Sequence, residues 1–389
     1  MKFALATVGS RGDVEPFAAV GRELQRRGHE VHVAVPPNYL DLVESAGLYG
    51  VAHGPDQDTR NAELIRKYGE SPNPLIMAFE VMNDMSLLWP TLAGALTSLA
   101  EGADLLLADL SEQRLAANVA EYYDIPLATL QFYPIGPAAT GWDITKDAED
   151  AQRRALGLPT ETGPSTEQLL AIQAYDEFFF PGLAAEWSGD AQRPFVGGLT
   201  LQLPRDADDE VSSWIAAGSP PIYFGFGSTR VAFPADALAT ISGACEELGE
   251  RALVCSGKTD FAGAPHVDHV KVVSSVNHSA VFPACRAVVH HGGPGTTFAG
   301  IRAGIPTLIL AISVDQPLWA AAVSELEVGL GRRFSDTTRE SLVADLRFVL
   351  TAQCASRARE VAAQMTTPAE SAAKAADLLE EAAQRGRIG

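Results

Sequence analysis

Short runs rich in apolar and β-branched residues alternate along this chain with longer stretches in which apolar positions recur every three or four residues. The first pattern suits strands buried on both faces and the second suits amphipathic helices. Their regular alternation predicts an α/β fold of parallel sheets built from βαβ units. In the first half the strand pattern falls at Phe3 to Val8, Glu30 to Val35, Asp104 to Ala108 and Pro126 to Gln131. In the second half it falls at Ile222 to Phe226, Ala252 to Cys255, Val270 to Val273, Ala287 to His290 and Thr307 to Leu310. The first helix is expected to begin near Glu15-Pro16, because proline suits a first helical turn, and to stop at Gly28. Phe17, Val20 and Leu24 give it one apolar face. Near the end, Thr367-Pro368-Ala369-Glu370 combines an N-cap, a proline at the first helical position and a capping-box glutamate, so an alanine-rich helix should close the chain.

A chain of 389 residues exceeds what one hydrophobic core usually organises, which predicts two domains. The polar stretch Leu203 to Asp209, with its proline and run of acids, places the crossing near residue 205. The expected domains are 1–205 and 206–389, both Rossmann-like, with the last helix free to pack back on the first. Each half opens on a strand running into Gly-Ser and then a basic residue, Gly9-Ser10-Arg11 in one and Gly227-Ser228-Thr229-Arg230 in the other.

The formal charge of -20 disfavours long contacts with nucleic acid, whose binding draws its affinity mainly from Lys and Arg. An anionic ligand must then be held by backbone N–H groups and helix ends. Cys245, Cys255, Cys285 and Cys354 show no paired spacing and read as buried thiols of a reducing cytosol. Met1 leads directly into the first strand pattern rather than into a cleavable signal. Apolar runs such as Leu308 to Ile312 are too short to span a bilayer. A cytoplasmic protein is expected, peripheral contact with a membrane surface is compatible with the sequence, and the oligomeric state is left open.

The most informative stretch is Val288-Val289-His290-His291-Gly292-Gly293-Pro294-Gly295-Thr296-Thr297. A buried strand ends in two histidines, a glycine-rich turn allows close approach of the backbone, and a short helix begins with two threonines. Free N–H groups and the positive end of the helix dipole would converge there, which suits a phosphate. The sequence is neither a P-loop nor the dinucleotide fingerprint. The plain alternative is a strand-to-helix turn whose threonines cap the helix. Two histidines at the carboxyl end of a parallel strand, where ligands of such sheets bind, favour the functional reading.

His291-Gly292-Gly293-Pro294-Gly295-Thr296-Thr297, followed by Asp315-Gln316-Pro317, resembles the donor-binding signature of the GT-B glycosyltransferases that use nucleotide sugars. Gly9-Ser10-Arg11-Gly12-Asp13-Val14-Glu15-Pro16 resembles the subgroup holding glycopeptide-antibiotic, sterol and mycobacterial glycopeptidolipid glycosyltransferases. The mycobacterial enzymes are the most similar, across Ala34-Val35-Pro36-Pro37-Asn38 and Val43-Glu44-Ser45-Ala46-Gly47-Leu48. The resemblance implies two Rossmann-like domains whose parallel sheets face each other across a cleft, with the acceptor in the first domain and the donor in the second. It implies that His291 faces the donor pyrophosphate, with Gly293, Gly295, Thr296 and Thr297 around it and Ser228 opposite. It sets Val276 against the base, Asp315 and Gln316 on sugar hydroxyls, and Ser10, Arg11 and Gly12 on the donor side of the first loop. Asp13 takes the position of the general base. Asp315 could also cap the helix after it, a role that can coexist with the sugar contact that the histidine motif favours; His290 reads as a structural partner of His291, and His278 stands outside the set. No glutamate marks the ribose, so thymidine and uridine donors stay unseparated, although the resemblance favours thymidine-carried deoxysugars such as rhamnose.

Transfer with inversion needs a base for the acceptor hydroxyl, while fixed N–H donors can stabilise the departing diphosphate. No zinc-type cluster of histidine and cysteine appears, and fixed donors make a metal dispensable, so neither a metal nor a cofactor is expected beside the dTDP- or UDP-sugar. The stretch Pro72 to Pro90 holds Met77, Met82 and Met85 with Phe79 and Trp89. It could receive an apolar, hydroxyl-bearing acceptor such as a lipid, peptidolipid or natural product, or be an ordinary buried helix face. The connections after Gly54-Pro55-Asp56 and Gly136-Pro137 are short beside the resemblance. Two rivals remain: a sugar-nucleotide epimerase of the same architecture, and a sugar-nucleotide binding protein without turnover.

Overall fold

In the computed structural model, β1 (Lys2–Ala6), β2 (Glu30–Val35), β3 (Tyr49–Ala52), β4 (Leu105–Asp109), β5 (Leu127–Gln131) and β6 (Leu170–Gln173) form one sheet. Their order is β3-β2-β1-β4-β5-β6, and each neighbouring pair is parallel. A second sheet holds β7 (Ile222–Gly225), β8 (Ala252–Cys255), β9 (Val270–Val273), β10 (Ala287–His290), β11 (Thr307–Ala311) and β12 (Gly329–Arg333). Its order is β12-β11-β10-β7-β8-β9, again all parallel. Counted from its own first strand, each sheet has the same order, that of the doubly wound dinucleotide-binding folds. The described residues are 1–68, 74–134, 145–160, 169–204, 208–231, 233–261, 267–312 and 315–386.

The chain divides into two units, Met1–Leu201 together with Thr366–Gly389, and Gln202–Met365. The helix Pro368–Gly386 therefore belongs to the first unit. It begins with the expected capping box, in which Thr367 N–H donates to Glu370 Oε2 at 3.0 Å and Glu370 N–H to Thr367 Oγ1 at 3.3 Å. Arg27 fastens it through Asp377 at 2.6 Å and Glu380 at 2.8 Å.

The inner strands are apolar on both faces because helices cover both sides of a parallel sheet. Phe3, Leu5, Leu105 and Leu107 are fully buried in the first sheet, as are Phe224, Val288, Val289 and Leu308 in the second. Strands β3, β6 and β12 were not expected from the pattern, and all three are edge strands. At β3 and β12 the open edge admits water and composition loses the apolar signal, whereas β6 is buried along its whole length, so exposure does not explain it. Tyr49, for example, begins β3 while 64% exposed, and β12 reads Gly-Leu-Gly-Arg-Arg.

The first helix corrects another expectation. It spans Arg11–Arg26, four residues earlier than Glu15, and Pro16 lies inside it. The bond that Pro16 cannot make would go to the Gly12 carbonyl, and Gly12 is exposed, so water can serve instead. Gly28 follows the helix at φ +88°, the stop expected of it. Met85 and Trp89 are buried, with Trp89 Nε1 donating to Gln152 Oε1 at 2.8 Å, so those two serve the core of the first unit. The side chains of Met77, Phe79 and Met82, and residues 136–137, lie outside the described residues.

Candidate active site

Strand order reverses between β10 and β7 in the second unit. The loops leaving their carboxyl ends diverge there, which opens the crevice where ligands of doubly wound sheets bind. After β10 the chain turns at Gly292, φ +99°, where a Cβ would lie 2.9 Å from both Gln316 Cβ and Ile309 Cγ2. His290 is fully buried, and its Nδ1 accepts the Gly292 N–H at 3.0 Å, so the first histidine shapes the turn. Burial and the neighbouring His291 hold His290 neutral, well below the usual histidine range.

The imidazole of His291 lies between two glycines. A Cβ on Gly227 would be 2.6 Å from its Cε1, and one on Gly293 would be 2.8 Å from its Nε2. Gly227 has φ +59°, and a Cβ on Gly257 would come within 2.1 Å of its carbonyl oxygen. The loops after β7 and β8 therefore meet backbone to backbone beside the histidine. Burial pushes His291 down to about 4, partly opposed by its hydrogen bond to the Gly225 backbone. Its Nδ1 is buried without a hydrogen-bond partner.

The helix Pro294–Arg302 starts on the next residues, with Gly293 at the N-cap and no side chain capping it. Pro294 has no N–H, and Thr297 N–H returns to the Gly293 carbonyl at 3.0 Å. The N–H groups of Gly295 and Thr296 are thus first-turn donors beyond the reach of intrahelical bonding, and a Cβ on Gly295 would meet nothing within 4 Å. The Thr297 hydroxyl is buried and donates to the Gly293 carbonyl at 3.0 Å, so it steadies the turn rather than facing outward. Ser228 is half-buried in the loop after β7.

Val276 packs into an apolar cluster with Tyr223, Leu253 and Phe282, which leaves only its backbone to face a base. Asp208 Oδ1 takes the N–H of the next residue, Asn277, at 2.8 Å. Asp315 occupies the N-cap position of the helix Gln316–Glu325 but makes no capping bond with its side chain. Gln316 is buried, and its Oε1 accepts the Ile312 N–H at 2.7 Å, tying the loop to the helix start. His278 stacks on Phe282 and meets the Tyr223 hydroxyl at 3.2 Å, a structural environment.

In the first unit the order reverses between β1 and β4, and the loop after β1 carries Gly9, Ser10, Arg11, Gly12 and Asp13. Ser10 is the N-cap of Arg11–Arg26; its Oγ accepts the Gly12 N–H at 3.2 Å, and its own N–H donates to Asp13 Oδ2 at 2.5 Å. Asp13 is therefore a first-turn acid within a capping box, and remains half-buried. Arg11 pairs with Glu15 at 3.0 Å. Ser10, Arg11, Gly12 and Asp13 thus share one helix start, while His291, Ser228, Gly293, Gly295 and Thr296 gather at the switch point of the other sheet.

Residues 3–73 match the Glycosyltransferase family 28 N-terminal domain, and residues 256–382 match the C-terminal domain of erythromycin biosynthesis protein CIII-like proteins. An uncharacterised glycosyltransferase of Mycobacterium tuberculosis is 53% identical, with 100% of each chain covered. The chain is a glycosyltransferase of the GT-B type. Glycosyltransferase GtfE of Amycolatopsis orientalis is 31% identical to it, over 97% of each chain. Among solved structures, the calicheamicin glycosyltransferase CalG4 matches with a TM-score of 0.75 at 19% identity, covering 99% of this chain and 98% of that one. Glycosyltransferase VinC, solved in complex with dTDP, matches at 0.69 and 19% identity, over 99% of this chain and 100% of that one. The mycobacterial alignment runs over 416 positions against the 389 residues here, so that relative carries insertions which this glycosyltransferase lacks.

Several residues around the first loop of this glycosyltransferase were not singled out from sequence. Tyr39 is buried, and its hydroxyl takes a hydrogen bond from the Arg11 backbone; burial first, then Asp58 and Asp13, raises its phenol above the ordinary value. Asp109, ending β4, accepts four hydrogen bonds, from Thr7 Oγ1 at 2.7 Å, Val8 N–H at 2.9 Å, Ser111 Oγ at 2.6 Å and Glu112 N–H at 3.1 Å. Glu112 in turn meets His53 Nε2 at 2.6 Å, both side chains fully buried. An aspartate ending an all-apolar strand, as in Leu105-Leu106-Leu107-Ala108-Asp109, is the one local signal that could have marked this group. Among the described residues, no group of three or more His, Cys, Asp or Glu is arranged to hold a metal ion, and no helix is long and apolar enough to cross a membrane. All four cysteines are free and buried.

Proposed function

We propose that this glycosyltransferase moves a sugar from a dTDP- or UDP-activated donor to a hydroxyl of an apolar acceptor, with inversion and without a metal or cofactor. The carrying observation is the switch point of the second unit. A glycine turn, the open N-terminus of Pro294–Arg302 and an imidazole with one unpartnered ring nitrogen lie together there. Two first-turn N–H groups and the helix dipole suit a diphosphate, whose negative charge grows as the sugar departs. VinC holds dTDP in a fold of this kind, which supports a nucleoside-diphosphate donor. Asp315, at the start of the helix Gln316–Glu325, is assigned to donor-sugar hydroxyls. Gln316 holds the loop beside it.

Asp13 is assigned the general base. In this reading it takes the proton of the acceptor hydroxyl as the oxygen attacks the anomeric carbon and the diphosphate leaves. A single displacement of this kind inverts the anomeric centre. The acceptor is assigned to the first unit, and relatives that act on natural products, such as the vancomycin aglycone glucosyltransferase, support an apolar natural-product, lipid or peptidolipid acceptor.

The test is a thermal-shift screen with UDP, dTDP, UDP-glucose and dTDP-sugars, in the presence of EDTA. A nucleotide at about 100 times its dissociation constant should stabilise the fold by roughly 2.7 kcal/mol. Absence of a shift with every nucleoside diphosphate would overturn the donor assignment. A shift that requires added divalent cation would overturn the metal-free part.

A further inference from the structure

Beneath the loop that carries Asp13 lies a buried charged group. Thr7 and Val8 leave β1 just ahead of Gly9, and both bond to one carboxylate oxygen, Asp109 Oδ2. The other oxygen, Oδ1, takes Ser111 Oγ and Glu112 N–H. All four partners donate, so the ionised carboxylate takes all four at once; a proton on Asp109 would force one of the two hydroxyls, Thr7 Oγ1 or Ser111 Oγ, to turn and accept instead. Asp109 is 4% exposed and Thr7 fully buried, so a donor displaced on the β1 side would find no water, although Ser111 is exposed.

An ionised buried carboxylate needs a counter-charge. The charged groups facing Asp109 are Glu112, on its own turn, and His53, which follows β3 and is held by its N–H to the Val35 carbonyl at 2.8 Å. That charge is assigned to His53, whose Nε2 lies 2.6 Å from Glu112 Oε1. Burial alone would push it down, yet Glu112, by charge and hydrogen bond, and Asp109 together raise it above the ordinary histidine value. Burial and Glu112 push Asp109 up to about 6, so it stands close to protonation at neutral pH. The ion pair crosses from the end of β3 to the end of β4, over the strand end from which the Asp13 loop departs.

We propose that His53, Glu112 and Asp109 are positioning residues for catalysis, holding the Val8–Asp13 loop in its working geometry, with His53 supplying the charge that keeps Asp109 an acceptor of four hydrogen bonds. The proposal rests on Asp13 being the base. It implies a kcat that depends on the ionisation of Asp109, a residue assigned no contact with substrate, and a donor affinity that does not.

The experiment compares His53→Gln, Thr7→Val and Asp13→Asn with the parent. Hydrolysis of UDP-glucose or dTDP-glucose, whichever stabilises the protein in the screen, is followed as nucleotide release from pH 5 to 9. Binding of UDP or dTDP is followed by calorimetry. Glutamine can still donate to Glu112 but brings no charge, so Asp109 should protonate more readily. The acidic limb of the kcat profile is then expected to move to higher pH, with kcat at pH 7 reduced about 10- to 100-fold and nucleotide affinity unchanged. Thr7→Val keeps volume, removes one of the two bonds to β1 and one of the donors that hold Asp109 ionised, and should lower kcat and move the limb in the same direction, which keeps the test open if His53→Gln folds poorly. If both variants melt at lower temperature yet retain kcat within about twofold and an unmoved acidic limb, the group is merely structural and the proposal fails. An Asp13→Asn enzyme with parental kcat would overturn the base assignment and this proposal together, while an inactive Asp13→Asn beside unaffected His53→Gln and Thr7→Val would overturn the positioning role alone.

Discussion

Gly9 and Asp13 are packed so closely that a Cβ on Gly9 would lie 2.4 Å from Asp13 Oδ2. Gly9 also has φ +128°, a conformation open to glycine and little else. The missing side chain makes room for the carboxylate to fold back onto the Ser10 N–H. Gly9→Ala should therefore displace Asp13 as well as strain the turn. A stability loss of about 1 to 3 kcal/mol in chemical denaturation is expected, together with a fall in kcat that exceeds any change in nucleotide affinity. A Gly9→Ala enzyme with parental turnover would show that the tight fit does not serve the base.

Asp13 makes a capping bond and is assigned a catalytic task, and substitution separates the two. An asparagine at this position would keep a side-chain oxygen for the Ser10 N–H, so Asp13→Asn should melt near the parental temperature while kcat falls by roughly 10² to 10⁴. Asp13→Ala should lose the cap as well, at a further cost of about 1 kcal/mol. Turnover by Asp13→Asn above a third of the parental value, a barrier change below roughly 0.7 kcal/mol, would remove Asp13 from the mechanism.

His291 offers a test by pH. In the free protein burial holds the ring at about 4, so it is neutral at pH 7. A diphosphate beside it favours the charged ring and raises that value, so nucleotide binding should take up protons. Affinity for UDP or dTDP is then expected to rise as pH falls from 8 to 6, and calorimetry in buffers of different ionisation enthalpy should register the uptake. Binding without proton uptake at any pH in that range would place the diphosphate away from the ring.

Gly227 should be as sensitive as the histidine it supports. With a Cβ 2.6 Å from His291 Cε1 at φ +59°, Gly227→Ala forces the ring from its seat. It should weaken nucleotide binding to a similar degree as His291→Ala, for which a tenfold to hundredfold loss corresponds to roughly 1.5 to 3 kcal/mol. Equal dissociation constants for parent and Gly227→Ala would contradict this.

The buried His53–Glu112 pair should also mark the pH dependence of stability. A histidine raised above its ordinary value contributes stability that is present at low pH and lost as pH rises through the folded value. Asp109, also raised, acts in the same direction, since its ionisation above about 6 is costly in the folded state. The melting-temperature gap between the parent and the double variant His53→Gln/Asp109→Asn, which carries neither titration, should accordingly narrow from pH 6 to pH 8. A gap that widens over this range would assign the group the opposite sign.

Nine of the twelve described strands were readable because strands buried on both faces are nearly continuous apolar runs. Of the remaining three, β3 and β12 lie at edges where water admits Tyr49 or Arg332-Arg333 and the run dissolves, while β6 is buried throughout and exposure does not explain it. Within the candidate site, the stretch from His290 to Thr297 was legible because a glycine turn between strand and helix is a local event. The start of the first helix was misjudged because Pro16 is a strong local cue, whereas the Ser10–Asp13 capping box that sets the start is a weaker one. The capping alternative for Asp315 was reasonable on composition, but its side chain makes no such bond. The His53–Glu112 contact joins residues 59 apart, and neither carries a local motif, so only the folded sheet brings them together.

The return of Pro368–Gly386 to the first unit decides where hybrid enzymes can be joined. A single crossover near residue 205 would graft a foreign last helix onto Arg27 and His29, whose partners Asp377 and Glu380 would be exchanged with it. A transplant of Gln202–Met365 alone, with junctions on both sides, would carry the whole second sheet and leave the Arg27 ion pairs with their native partners. Recombination between relatives of this fold is thus a matter of two seams rather than one, with the closing helix travelling with the opening strands.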